Sequence, residues 1–201
     1  MGARQMFEAH VTVSSLLDER ALHGWACERG LSSLCIELDR GATPRQQMVT
    51  ARYEGGISQA LASLETLIRD LRSLTGVEVR RSKLELDLRS VPSELPSHAR
   101  YLEHHLKVRT QPSGMSMLEE LGRAHAGHVS KNAYKSLGAG LEERFLTQRF
   151  PLAQRADAER SLNALRTSLE QRGFVVLKSE REVVLHDDNL QLDHGWMKAA
   201  V

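Results

Sequence analysis

The chain has 201 residues, 41% hydrophobic and 26% charged, which are ordinary proportions for a globular protein. Its 27 basic and 26 acidic side chains leave a net charge of +1, so nothing global recruits nucleic acid or an anionic membrane, and any grip on phosphate must come from a local cluster. No apolar run approaches the ~20 residues of a membrane span. Cys27 and Cys35 fit no zinc spacing and read as reduced thiols, so a cytoplasmic protein is expected.

The first element is Phe7 to Val13, where Ala9, Val11 and Val13 alternate with Glu8, His10 and Thr12. Strict alternation means a strand with one buried and one polar face. Ser14 or Ser15 is then expected to cap a helix carrying Leu16, Leu17, Leu22, Trp25 and Ala26, ended by Gly30. Ser33 to Asp39 reads as a second strand, Arg40 to Pro44 as a turn, and Gln47 to Tyr53 as a third strand broken at Gly55-Gly56. From Ser58 the stripe Leu61, Leu64, Leu67, Ile68, Leu71 and Leu74 predicts an amphipathic helix closed by Gly76. A fourth strand spans Val77 to Leu88. Val91 to Ala99, with Pro92 and Pro96, reads as a linker.

The second half repeats the order. Tyr101 to Arg109 is a strand, Ser116 with Glu119 has the spacing of a capping box, His128 to Tyr134 stands for the second strand, and Leu137-Gly138-Ala139-Gly140 for the turn. Arg144 to Phe150 is the third strand, and a helix from Asp157 carries Leu162, Leu165 and Leu169. A strand or hairpin from Phe174 to Leu185 then leads to a tail, His186 to Trp196, with no counterpart in the first half.

Several segments echo one another. Phe7-Glu8-Ala9-His10-Val11-Thr12-Val13 aligns with Leu102-Glu103-His104-His105-Leu106-Lys107-Val108, and Val49 to Tyr53 with Leu146 to Phe150. These echoes predict an internal duplication. The expected fold is α+β, two tandem ferredoxin-like β-α-β-β-α-β modules related by a pseudo-two-fold axis, at 1–90 and 100–185, with a linker at 91–99 and a tail at 186–201.

In that topology the first strand lies between the third and the fourth. One polar face then carries Glu8, His10, Thr12, Thr50, Arg52, Glu85 and Asp87; the other carries Glu103, His105, Lys107, Thr147, Arg149 and Glu182. A cleft between such faces would suit an anionic small molecule, because arginine offers a fork to phosphate or carboxylate and lysine a point charge. His10 and His105 would act as acid and base, assisted by Thr12 and Lys107, with Glu8, Glu103, Thr50, Arg52, Thr147 and Arg149 binding the ligand. The expected activity is hydrolysis or transfer on a phosphate ester or similar anion, without a cofactor. A metal reading uses His10, Glu85, His105 and Glu182 as ligands to a divalent transition ion. A third reading is a non-catalytic nucleotide or metabolite module, and the plainest is a set of surface ion pairs such as Glu85 with Arg52, of little energetic value. Open sheets of this kind also pair with other chains, so a homodimer is expected as one arrangement.

His10-Val11-Thr12-Val13 and His128-Val129-Ser130 resemble the His-x-Thr/Ser motifs of the two-histidine phosphoesterase superfamily, which implies a bilobal pseudo-symmetric fold and acid–base chemistry on a phosphoryl group. The internal echo departs from it by placing Lys107 where Thr or Ser is expected. A His on the first strand and a Glu on the last strand of each half also resemble the metal arrangement of the vicinal oxygen chelate superfamily, although that family's module lacks the helix from Ser58 to Leu74. Of the other histidines, His104 lies on the apolar phase and is expected to be buried or at an edge with a hydrogen-bond partner. His23 and His125 fall on helices and His98 in the linker. The tail residues Asp187, Asp188, Asn189, Asp193, His194 and Trp196 suit turns, with Trp196 docking over one end of the cleft.

Overall fold

The computed structural model describes residues 5–91, 94–135, 137–138 and 140–197. Pro92 and Ser93 of the expected linker, Ala139 of the expected turn, the first four residues and residues 198–201 lie outside the described residues. The elements run β1 (Gln5–Ser15), α1 (Glu19–Cys27), β2 (Ser32–Leu38), β3 (Arg45–Gly55), α2 (Ile57–Arg72), β4 (Val77–Asp87), β5 (Tyr101–Thr110), α3 (Met115–Ala124), β6 (His128–Asn132), β7 (Glu142–Pro151), α4 (Arg155–Gln171) and β8 (Val175–Asp187).

The strands form one closed antiparallel barrel in the order β1-β3-β2-β6-β7-β5-β8-β4. This overturns the expected pair of duplicated ferredoxin-like modules facing each other across a cleft. β1 does lie between β3 and β4, and β5 between β7 and β8, but the remaining edges do not stay open. β2 pairs with β6 through Ile36 opposite Asn132 and Leu38 opposite Ser130. β4 pairs with β8 through Lys83 opposite Asp187 and Glu85 opposite Val184. Closure satisfies backbone groups that an open edge would expose, and removes the edges on which pairing with another chain was expected. Register shifts at Thr12/Val13, Leu84/Glu85 and Lys107/Val108 add the local bend and twist that a small barrel needs.

On every strand but β2 the apolar phase mostly faces outward, under the helices. Ala9, Val11, Val49, Ala51, Leu84 and Leu86 pack with Leu22 and Ala26 of α1 and with Ala60, Leu64, Leu67 and Leu71 of α2. On the other side Leu106, Val108, Val129 and Leu146 meet Leu118 of α3 and Leu162, Leu165 and Leu169 of α4. Each fully buried leucine contributes roughly 1.5–3 kcal/mol, so this shell supplies the bulk of the hydrophobic stabilisation. The inward phase is polar except on β2 and at Met48 and Phe145.

Two helix starts differ from expectation. Ser14 and Ser15 extend β1, Leu16 is 93% exposed outside any helix, and α1 is capped by Asp18, whose side chain accepts from the Ala21 N–H at 2.7 Å. A carboxylate there satisfies an orphan donor and faces the positive end of the helix dipole, an advantage over serine. Ser116 lies inside α3, which starts at Met115 after a tight turn at Pro112–Gly114, so its spacing to Glu119 makes no capping box.

The segment after β8 folds back over the barrel mouth. A short 3₁₀ turn at Leu190–Asp193 is followed by Trp196, whose indole N–H donates to the Val129 carbonyl at 3.2 Å, while the Ala42 N–H donates to the His194 carbonyl at 2.9 Å. Gly41, at φ +116°, allows this approach: a Cβ there would lie 3.0 Å from Cβ of Trp196.

Candidate functional site

The inward phase of the strands encloses a cavity of about 320 Å³. Its walls differ in chemistry because neighbouring strands carry like residues. Leu34, Ile36 and Leu38 of β2, Met48 of β3 and Phe145 of β7 form one wall, with Trp196 beside them. Opposite stand Glu8 and His10 of β1, Arg81, Lys83 and Glu85 of β4, Glu103, His105 and Lys107 of β5, and Lys178, Glu180 and Glu182 of β8.

The centre of the charged wall is a pair of His–Thr–Glu sets. His10 is opposite Thr50 in the register; its Nδ1 meets Thr50 Oγ1 at 3.1 Å and its Nε2 lies 2.9 Å from Glu85 Oε2. His105 is opposite Thr147, with Nδ1 2.9 Å from Thr147 Oγ1 and Nε2 3.2 Å from Glu182 and 3.5 Å from Glu103. Lys83 sits between the sets, its Nζ 2.5 Å from both Glu85 and Glu103. Burial opposes charge on this lysine, but Glu103 and Glu85 outweigh it and hold the ammonium protonated. Against the same burial, Lys83 and His10 keep the Glu85 carboxyl down at about 2.

Below this centre Arg149 binds Glu103 at 2.7 Å and Asp193 at 2.6 Å, and stacks on Tyr101 at 4.6 Å. Arg81 forks onto Asp187 at 2.9 and 2.6 Å and reaches Asp193 at 3.0 Å. Tyr101 donates its hydroxyl to Asp187. The network thus sets five carboxylates, Glu85, Glu103, Glu182, Asp187 and Asp193, against three permanent cations, Arg81, Lys83 and Arg149. An excess of two negative charges would be costly in so shielded a place. Protonation of both histidines removes it. His10 is raised and His105 is raised to about 10: burial works against each imidazolium and is overcome by Glu85 for His10, and by Glu103 and Glu182 for His105. Glu182 itself is pushed up, by burial and by repulsion from Glu85.

The predicted site residues are therefore brought together, but with duties other than those expected. Thr50 and Thr147 hold the histidines, and both nitrogens of each ring already have protein partners. The cations expected to grip phosphate are committed: Arg52 to Glu8 at 3.2 Å, Lys107 to Glu143 at 2.6 Å, and Arg149 to Glu103 and Asp193. Each of these charges thus has a partner within the protein. Glu85 pairs with Lys83 and His10 and not with Arg52. Asp87 turns away to accept from the Arg89 N–H at 2.8 Å. Of the His-x-Thr/Ser segments, Thr12 and Ser130 line the cavity, but His128 does not: its Nδ1 lies 2.8 Å from Arg40, its ring packs edge-on to Trp196, and burial lowers it to about 4. His104 is buried on the outer face, 5.8 Å from the Phe150 ring, and neither of its nitrogens has a hydrogen-bond partner among the described residues, contrary to expectation.

Sequence reasoning missed Arg81 and Lys83, although they precede Glu85 by four and two residues and so share its face. It also missed Tyr101, two residues before Glu103. Asp193 and the apolar wall gave no comparable signal, because their place depends on which strands meet across the barrel.

No family model matches the chain, and no curated protein does. Among solved structures, it is similar to the regulatory subunit of aspartate kinase from Thermus thermophilus in its ligand-free form, at 15% identity over 81% of this chain and 91% of that one, with a TM-score of 0.34. It is similar to a candidate monooxygenase from Fusobacterium nucleatum at 9% identity over the whole of both chains, TM-score 0.34. An anthrone oxidase-like protein matches at 13% identity over 92% of each chain, TM-score 0.31. At these values the likenesses assign no activity.

Proposed function

We propose that the barrel interior binds an amphipathic small molecule whose polar end donates hydrogen bonds or carries positive charge. The supporting observation is the cavity of about 320 Å³ with an apolar wall on β2, β3 and β7 facing a charged wall on β1, β4, β5 and β8. That volume is within the range of small-molecule pockets, and an apolar lining with a few convergent polar groups is their usual composition. The polarity of the head follows from Glu182, which among the described residues pairs with His105 and is pushed up by burial and by Glu85, so a donor or cation beside it is favoured. Leu34, Ile36, Met48 and Phe145 would take the body of the ligand, and Glu182 and Glu85 its head.

Thermal unfolding with matched probes tests this reading. Benzylamine and cyclohexylamine should raise the unfolding temperature and quench Trp196 in a Trp25→Phe background, whereas benzoate and phenyl phosphate should do neither. Met48→Trp, which fills the apolar wall, should weaken the amine response at least about tenfold, the loss of roughly 1.4 kcal/mol of binding. Stabilisation by the anions in preference to the amines would overturn the reading.

A further inference from the structure

We propose that Glu85, His105 and Glu182 form a binding site for a divalent transition-metal ion on the charged wall. The proposal rests on the same cavity and puts a metal ion, in place of an ammonium head, beside those carboxylates; binding displaces the proton that His105 otherwise carries. The three residues come from β4, β5 and β8, which are consecutive around the barrel, and their donor atoms all lie within 4.8 Å of one another. Donors around one ion with bonds of about 2.1 Å stand roughly 3 to 4 Å apart, so small side-chain rotations complete the set. Two carboxylates and one imidazole suit manganese, iron, cobalt or zinc better than calcium or magnesium, which favour all-oxygen sets.

A further observation points to a metal ion here. Thr147 Oγ1 holds Nδ1 of His105 at 2.9 Å, which aims Nε2 at the carboxylates, as the outer partner of a metal-binding histidine does. Glu85 and His105 meet the cavity, so the remaining coordination positions are open to a ligand lying on the apolar wall. His10, 2.9 Å from Glu85, is the neighbouring group that orients that carboxylate.

Calorimetric titration of untagged, EDTA-treated protein with manganese, cobalt and zinc chlorides is the test. One ion per chain is expected, with a visible absorption band for the cobalt form. Glu182→Gln and His105→Gln should each lower affinity by about tenfold or more. Thr147→Val should lower it by about tenfold through loss of ring orientation, and Glu143→Gln, outside the site, should not change it. Circular dichroism of each variant establishes that the barrel is intact, and Thr147→Val serves if either ligand variant fails to fold. Absence of binding by all three ions to folded protein would overturn the proposal, as would affinity undiminished in both ligand variants. Amine binding by metal-free protein without metal binding removes the metal site alone. Metal binding that Met48→Trp leaves intact, with no amine response in the wild type, removes the amphipathic-ligand reading alone.

Discussion

His104 and His105 are adjacent in β5 and face opposite regions of the molecule. His104 points into the shell between barrel and helices, where burial and the charge of its neighbour push it down to about 4. His105 points into the barrel, where two glutamates overcome the same burial and raise it to about 10. Burial alone therefore does not decide protonation. On the outer side His104 has Arg181 opposite it and no carboxylate partner, whereas the inner side is so dense in carboxylates that it requires positive charge.

The contrast can be broken most severely at Lys83. Lys83→Met leaves Glu85 and Glu103 facing each other without their shared ammonium, and should cost about 3–5 kcal/mol, read as a fall in the urea midpoint.

The two histidines should also split the pH dependence of stability, measured by urea unfolding in EDTA. In the unfolded chain an imidazole titrates near 6.5. His105 keeps its proton to about 10 in the barrel, so its stabilisation is complete below pH 6.5, declines above it, and is gone beyond about 10. His104 acts in the opposite direction: it resists protonation to about 4, so stability is lost as pH falls from 6.5 through 4. His105→Gln should flatten the alkaline limb and His104→Leu the acid limb. An alkaline limb unchanged in His105→Gln would show that the inner wall does not depend on that imidazolium.

The smallest effect sharpens the comparison within the barrel. Thr50→Val and Thr147→Val each remove one hydrogen bond to a histidine Nδ1 and should destabilise by about 1 kcal/mol. Both should leave the outer core unmoved, as judged by the near-ultraviolet signal of Trp25.

Much of the site was legible in the chain. Alternation placed Glu8, His10 and Thr12 on one face, and the same reasoning grouped Glu103, His105 and Lys107 and added Glu85 and Glu182. What it could not show was the partner each charge would find. Lys107 was free to meet a ligand on paper and is held by Glu143; Arg52 is held by Glu8. Lys83 was overlooked although its phase is that of Glu85, because a lysine among Arg80, Arg81 and Glu85 looks like ordinary strand-surface charge.

The sequence by itself determined the order of strands and helices and which side chains share a face, since both follow from backbone periods of two and 3.6 residues that act locally. Only the tertiary structure decided that the polar face is an interior. Every free strand edge presents the same backbone donors and acceptors, so periodicity cannot say that β2 joins β6 and β4 joins β8. Those two pairings turn the predicted open surface into a closed cavity, and with it change phosphate-gripping cations into the internal partners of buried carboxylates.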